Sequence, residues 1–180
     1  MKCFTYDESE RWLASMGVRI DGNRNLLFPN EQEKIMTNMP KGASALKRLS
    51  ADLAHWFACD SSCMVWFSNW DTEPRHPLVL FEKMRMGCGE PRHIIDAPGH
   101  LFEELTEEEN ALLTGVIFLI MVFNWEGYIV CQNRHEFIYL GDEHIVISSA
   151  DSEKMREILG TVTSFKLKVI TDIRQAWTSE

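Results

Sequence analysis

Apolar positions crowd into one stretch of the chain, and the polar residues at its margins indicate how it folds. Residues 111–125 carry no charged side chain, and from Val116 to Phe123 every position is apolar. Such a run lacks the polar stripe of a surface helix and reads as a helix buried on all sides. It falls short of the roughly 18–20 residues needed to span a bilayer, and no basic residue flanks it within a turn. Thr106 followed by Glu109 has the spacing of a capping box, and Glu107, Glu108 and Glu109 suit the positive end of a helix dipole. The pattern predicts a helix over about 107–124, with Gly127 as its left-handed stop. Three short apolar runs follow at 128–131, 137–140 and 145–147, separated by polar residues 132–135 and by Gly141-Asp142. They predict a meander of three antiparallel strands with one face on the helix.

The remaining segments are weaker versions of the same signals. Trp12, Leu13 and Met16 give 7–16 an amphipathic helical reading, stopped at Gly17. Asp21-Gly22 between apolar runs predicts a hairpin over 18–28. Residues 30–39 are polar and offer at most one helical turn, from Glu31 to Met36. Leu46, Leu49, Leu53, Trp56 and Phe57 share one face of a predicted helix at 44–57. Cys63 to Trp70 reads as a strand, Leu78 to Phe81 and on to Met86 as another, and 87–99 as irregular. Met155, Ile158, Leu159 and Val162 begin a helix near 151 or 152. Beyond Phe165 the alternation of Phe165, Leu167 and Val169 suits a strand. A helix carried on through Ile173 to Trp177 accounts for more residues and is favoured.

A chain of 180 residues with 45% hydrophobic composition is one domain with a real core. Residues 1–42 are either part of it or a helix-hairpin appendage. The formal charge is −9, which argues against nucleic acid or an anionic membrane as partner. Residues 61–110 hold 4 basic and 10 acidic side chains, whereas 1–60 are balanced at 8 and 8, so the negative field belongs to the middle of the chain. Met1 to Glu10 has no apolar core of a signal peptide, and five cysteines is an odd number. Reduced thiols in a cytosol are the expectation.

Candidate chemistry is sparse. His55, Cys59 and Cys63 supply soft zinc ligands, but without the short paired spacing of structural zinc sites. Cys88 lies between two glycines with His93 and His100 downstream, the raw material for a thiol nucleophile and its base. Asp142, Glu143 and His144, with His135 and Glu136, form a polar group whose ordinary reading is a solvated turn. Among the aromatics Trp56, Phe57, Trp66, Phe67, Trp70 and Phe81, Trp70 precedes a charged loop and is the candidate for a surface role, with Trp66 expected on the same side of its strand. Glu103, Glu104, Glu107 and Glu108 exceed what helix capping requires and form a candidate binding surface. Nucleotide-binding glycine loops, metalloprotease helices and nucleophile elbows are all missing from the sequence.

These features predict a single α+β domain: an antiparallel sheet from the 63–86 and 128–148 strands, in one piece or two, packed on the buried 107–124 helix, with the 44–57 and 151–177 helices as cover. The expected function is non-catalytic binding of another protein, a basic one in the form an inhibitor or immunity protein takes. The competing expectation is an enzyme or ligand binder using the 87–100 loop. Neither a cofactor nor a metal is implied.

Overall fold

The computed structural model describes residues 1–29, 33–57, 62–70, 75–104, 106–132 and 136–170. In chain order these form β1 (Lys2–Phe4), α1 (Tyr6–Ala14), β2 (Arg19–Ile20), β3 (Leu26–Leu27), β4 (Glu33–Asn38) and α2 (Ala43–Phe57). Next come β5 (Cys63–Asn69), α3 (Arg75–Gly87), β6 (Gly99–Phe102) and α4 (Glu107–Val122). The chain continues with β7 (Glu126–Cys131), β8 (Phe137–Gly141), β9 (His144–Ser149), α5 (Ser152–Ser164) and β10 (Val169–Ile170). Eight strands make one antiparallel sheet in the order β1-β6-β5-β7-β8-β9-β4-β10, and β2 and β3 pair separately. This is a single α+β domain with α2 and α4 packed together.

Both faces of the sheet are buried. Val65, Phe67, Ile129, Ile138, Ile145 and Ile147 point to the face covered by α2, α3, α4 and α5. Met64, Trp66, Tyr128, Val130, Tyr139 and Val146 point to the other, where Leu13 of α1 and Val18 and Leu26 of the small hairpin cover them. Strands sandwiched in this way need apolar residues on both sides, which is why 137–140 and 145–147 do not alternate. The predicted central helix is present, and Leu113, Val116, Ile117, Ile120 and Met121 are its buried side chains. Each contributes about 1.5–3 kcal/mol of burial.

Several segments depart from the sequence reading, each for a local reason. Residues 78–86 belong to helix α3, not a strand: Leu78, Phe81 and Arg85 fall on one helical stripe and turn inward. Residues 33–38 form β4, between β9 and β10, in place of a helical turn; Glu31 lies outside the described residues. Residues 1–42 carry the expected helix and hairpin, and they also supply β1 and β4 to the main sheet. The hairpin loop runs over 21–25: the Asp21 carboxylate accepts from the backbone N–H of Asn23 and Asn25 at 2.8 Å, and Arg24, not Gly22, takes the positive φ of 67°.

Four helices end in the same closure, in which a left-handed residue lets the next N–H reach back five positions. Gly17 serves α1 as expected, with Val18 N–H donating to the Leu13 carbonyl, and Gly89 serves α3 with Glu90 donating to Arg85. For α4 the left-handed residue is Asn124 (φ 50°), not Gly127, which lies inside β7. For α5 it is Lys166 (φ 56°), with Leu167 donating to Val162. That closure stops the helix expected to continue to Trp177, and β10 follows; Trp177 itself lies outside the described residues.

The β8–β9 turn consists of Asp142 (φ 51°) and Glu143 (φ 61°), flanked by the paired Gly141 and His144. Both central residues sit where a side chain is disfavoured. The strain is held by backbone contacts: Glu143 N–H donates to the Asn124 side-chain oxygen at 3.1 Å, and its carbonyl accepts from Met39 at 2.7 Å. Replacing the pair by Asn-Gly keeps those contacts and removes the conformational penalty. Asp142→Asn/Glu143→Gly is expected to stabilise the domain by roughly 1 kcal/mol in urea unfolding, and an unchanged or lower midpoint would contradict the turn assignment.

Candidate functional site

The described structure places the two histidines that the sequence suggested as bases in different surroundings, His100 in the core and His93 on the surface. His100 is fully enclosed on β6, its ring 5.3 Å from Phe67 and 5.1 Å from Phe81 between centroids. The carbonyls of Pro98 and Val65 approach the ring, yet among the described residues neither nitrogen completes a hydrogen bond of good geometry. Burial, and next the Arg85 charge, push the His100 pKa down to about 3, so the ring is neutral. His93 stands outside, with Nδ1 2.7 Å from a Glu82 carboxylate oxygen, a contact that raises its pKa. Cys88 is half-buried just past the end of α3. A thiol nucleophile needs a base within hydrogen-bond reach. Here the nearer histidine faces a carboxylate and the farther one is locked into the core.

In place of that group, α3 brings Arg85 over β1 and β6. Arg85 is 0% exposed, and one of its terminal N–H groups donates to the Ala97 carbonyl at 3.0 Å. Among the described residues its Nε and Nη1 meet no nitrogen or oxygen acceptor. The guanidinium adjoins the Cys3 thiol, whose pKa burial raises and Arg85 partly restores. Alongside, Arg92 binds Glu90 through Nε (2.8 Å) and Nη2 (2.6 Å) and also caps the Cys3 carbonyl at 3.0 Å. That pairing holds the Glu90 pKa down to about 2. The Cys3 carbonyl belongs to the sheet's edge strand, so the Arg92 contact also covers part of an open strand edge. The sequence reading missed Arg85 because it took 78–86 for a strand; with helical spacing, Phe81 and Arg85 fall one turn apart on the inward side.

The other candidates divide in the same way. Asp142 and Glu143 occupy one end of the β8–β9 hairpin and Glu136 precedes β8 at the other, so they form no common site; His135 lies outside the described residues. Glu136 is buried and accepts from the Ser149 hydroxyl (3.1 Å) and Lys154 Nζ (3.3 Å). This pair lines an open hollow of about 620 Å³ with Ala150 and Asp151. Asp151 is already committed as the cap of α5. His55 is exposed on α2 while Cys63 faces the core, and Cys59 lies outside the described residues. Among the described residues no group of three or more metal-ligating side chains converges.

Trp66 and Trp70 do not share a side. The pairing register shifts between Phe67 and Asn69, which breaks the alternation: Trp66 is buried among the residues facing α1, and Trp70 packs half-buried against the helix-covered core. The hairpin loop clamps both, since Arg24 accepts from Trp66 Nε1 through its carbonyl (2.8 Å) and lays its guanidinium 5.1 Å from the centre of the Trp70 ring.

The acidic group is the one candidate set that stays together on the surface. Glu103, Glu104, Glu107 and Glu108 are all exposed, where β6 ends and α4 begins. The capping box there is only half formed. Thr106 Oγ1 accepts from Glu109 N–H at 3.3 Å, but the Glu109 carboxylate turns to the Glu104 N–H (3.1 Å) and the Met1 amino group. Glu103 meets Lys2 in an exposed ion pair. Glu104, Glu107 and Glu108 have no ion-pair partner among the described residues.

No family model matches this chain, and no curated protein or solved structure matches it either. Among the described residues no helix is long and apolar enough to cross a membrane.

Proposed function

We propose that this protein acts without catalysis, binding a basic protein partner through Glu103, Glu104, Glu107 and Glu108. The observation that carries the reading is the division of labour at the start of α4. Glu109 turns inward to backbone and amino donors, while the neighbouring Glu104, Glu107 and Glu108 face solvent and Glu103 meets Lys2 in an exposed ion pair. A concentrated negative surface raises the encounter rate of a positively charged partner and rejects acidic ones. An inhibitor or immunity-type protein in the cytosol is one concrete form of this function, supported by the charge of the chain.

The test compares the wild-type chain with E103K/E104K/E107K/E108K as baits in the native host's lysate, at low and high salt. α4 is fixed by its buried stripe, so the variant is expected to stay folded, losing a few tenths of a kcal/mol to 1 kcal/mol per reversed charge in the first turn. Thermal melting checks this. The expected result is a stoichiometric basic protein on the wild-type bait, lost at high salt and bound at least ~10-fold more weakly by the variant. Identical capture by both baits would overturn the reading.

A further inference from the structure

Cys63 and Cys131 face each other directly across the β5–β7 ladder. The hydrogen bonds around them define which kind of pair they form. Cys131 N–H points away from β5 and donates to the Glu136 carbonyl at 3.1 Å, while the next rung, Gln132 N–H to the Ser62 carbonyl (3.0 Å), carries the hydrogen bond between the two segments. The cysteines are therefore a non-hydrogen-bonded pair, the closer of the two kinds, with α-carbons about 4.5 Å apart in an antiparallel sheet. Disulfides span roughly 4.4–6.8 Å between α-carbons. Both side chains lie on the helix-covered face, 0% and 1% exposed, and both are held as thiols.

We propose that Cys63 and Cys131 are a redox-sensitive pair that closes into a cross-strand disulfide. The oxidant class is a small-molecule disulfide. The thiolate of one cysteine attacks a reagent sulfur, the reagent S–S bond breaks, and one reagent thiol leaves with a proton. The second cysteine, also giving up its proton, attacks the protein sulfur of the mixed disulfide and expels the other reagent thiol. Two protein thiols are thus oxidised and one reagent disulfide is reduced to two thiols. The pair sits at strand ends, Cys63 first in β5 and Cys131 last in β7, so reagent access requires fraying at one end of the ladders that β5 makes with β6 and β7 and not opening of the whole sheet. Burial, reinforced by the neighbouring sulfur of Cys131, pushes the Cys63 thiol well up. The reaction is therefore slow near neutrality and faster in alkaline buffer. Once closed, the bond ties two central strands at the end where α2 leads into β5 and where the chain leaves β6 for α4.

The experiment treats the folded full-length chain with oxidised glutathione, blocks remaining thiols with iodoacetamide and maps the digest by mass spectrometry without reduction. The expected digest contains one peptide pair joining Cys63 to Cys131, two hydrogens lighter than the sum of its two thiol peptides. A C3S/C88S variant, which leaves the buried pair intact, is expected to give the same product. A bridge from either cysteine to a different one overturns the proposal. So does the absence of any bridge after Cys88 has been fully converted to its glutathione adduct. Because the linkage is read on the wild-type chain, a failure of Cys63 variants to fold would not affect the result.

Discussion

Lowering the pH from 8 to 5 is expected to cost the domain about 2 kcal/mol through His100 alone, rising to about 4 kcal/mol by pH 3. The folded-state pKa is about 3, while an unfolded histidine titrates near 6.5. Between those values the unfolded chain takes up a proton that the folded chain refuses, so stability is present above 6.5 and is lost as the pH falls toward 3. The loss approaches the whole of a typical domain's 5–15 kcal/mol at its lower end. His100→Leu removes the titrating ring, and among the described residues neither nitrogen makes a hydrogen bond of good geometry that the variant would break. The variant should therefore show a flatter pH dependence of its urea midpoint. The range from pH 8 to 5 isolates the effect: Glu90, with its pKa held near 2, adds a loss of the same sign only below about 4.5. His93, raised by Glu82 and fully exposed, has the opposite sign and is present in both chains, so it cancels in the comparison. Parallel midpoint curves for the two proteins would rule out a buried neutral histidine.

Gly99→Ala is the second large effect, a loss of about 1–3 kcal/mol from overpacking. A methyl group there would lie 2.1 Å from Ser9 Oγ, 3.2 Å from Ser9 Cβ and 3.3 Å from Phe4 Cβ. Ser9 is fully buried on α1, so the bare backbone of Gly99 is what lets that helix rest against β6. The clash is mostly with one oxygen. Ser9→Ala removes it at little cost, since Oγ merely shares the Thr5 carbonyl that Ser9 N–H already occupies at 3.0 Å. In thermal unfolding, the double variant should recover more than half of the loss. If Ser9→Ala gave no recovery, α1 would not be seated on Gly99.

What the sequence made legible follows from the strength of each local signal. The α4 helix and the three strands after it were readable because long apolar runs between turn residues allow few alternatives. The runs at 137–140 and 145–147 also held a clue that went unused: unbroken apolar strands call for cover on both faces, not one. Residues 78–86 misled because a short apolar run suits strand and helix alike; the Gly89 closure and the inward turn of Arg85 become visible only with tertiary packing. Lys166 and Asn124 end their helices in a conformation usually supplied by glycine; asparagine is the common substitute there, whereas lysine does not announce it. The exposure of the four acidic residues was legible because charge clusters are local in sequence. The different surroundings of His93 and His100 were not, because they depend on how α3 and β6 pack. The Cys63–Cys131 pair was out of reach for a different reason, since cross-strand register is set by chain segments that lie far apart.

The sheet order has a consequence for biosynthesis. β1 finds its partner in β6 and β4 finds its partner in β9, so the earliest-made strands flank a centre that is made much later. At roughly 5–20 residues per second, β4 would wait on the order of ten seconds for β9 to leave the ribosome. The β7–β9 meander, by contrast, closes short loops and assembles quickly once made. Until β5 and β6 are made, the apolar side of the amino-terminal segment, with Leu13, Val18 and Leu26, has no sheet to cover it, and until β7–β9 follow the cover is partial. In the nascent chain this segment is thus the natural target for chaperone capture, and the last long-range docking step completes the fold.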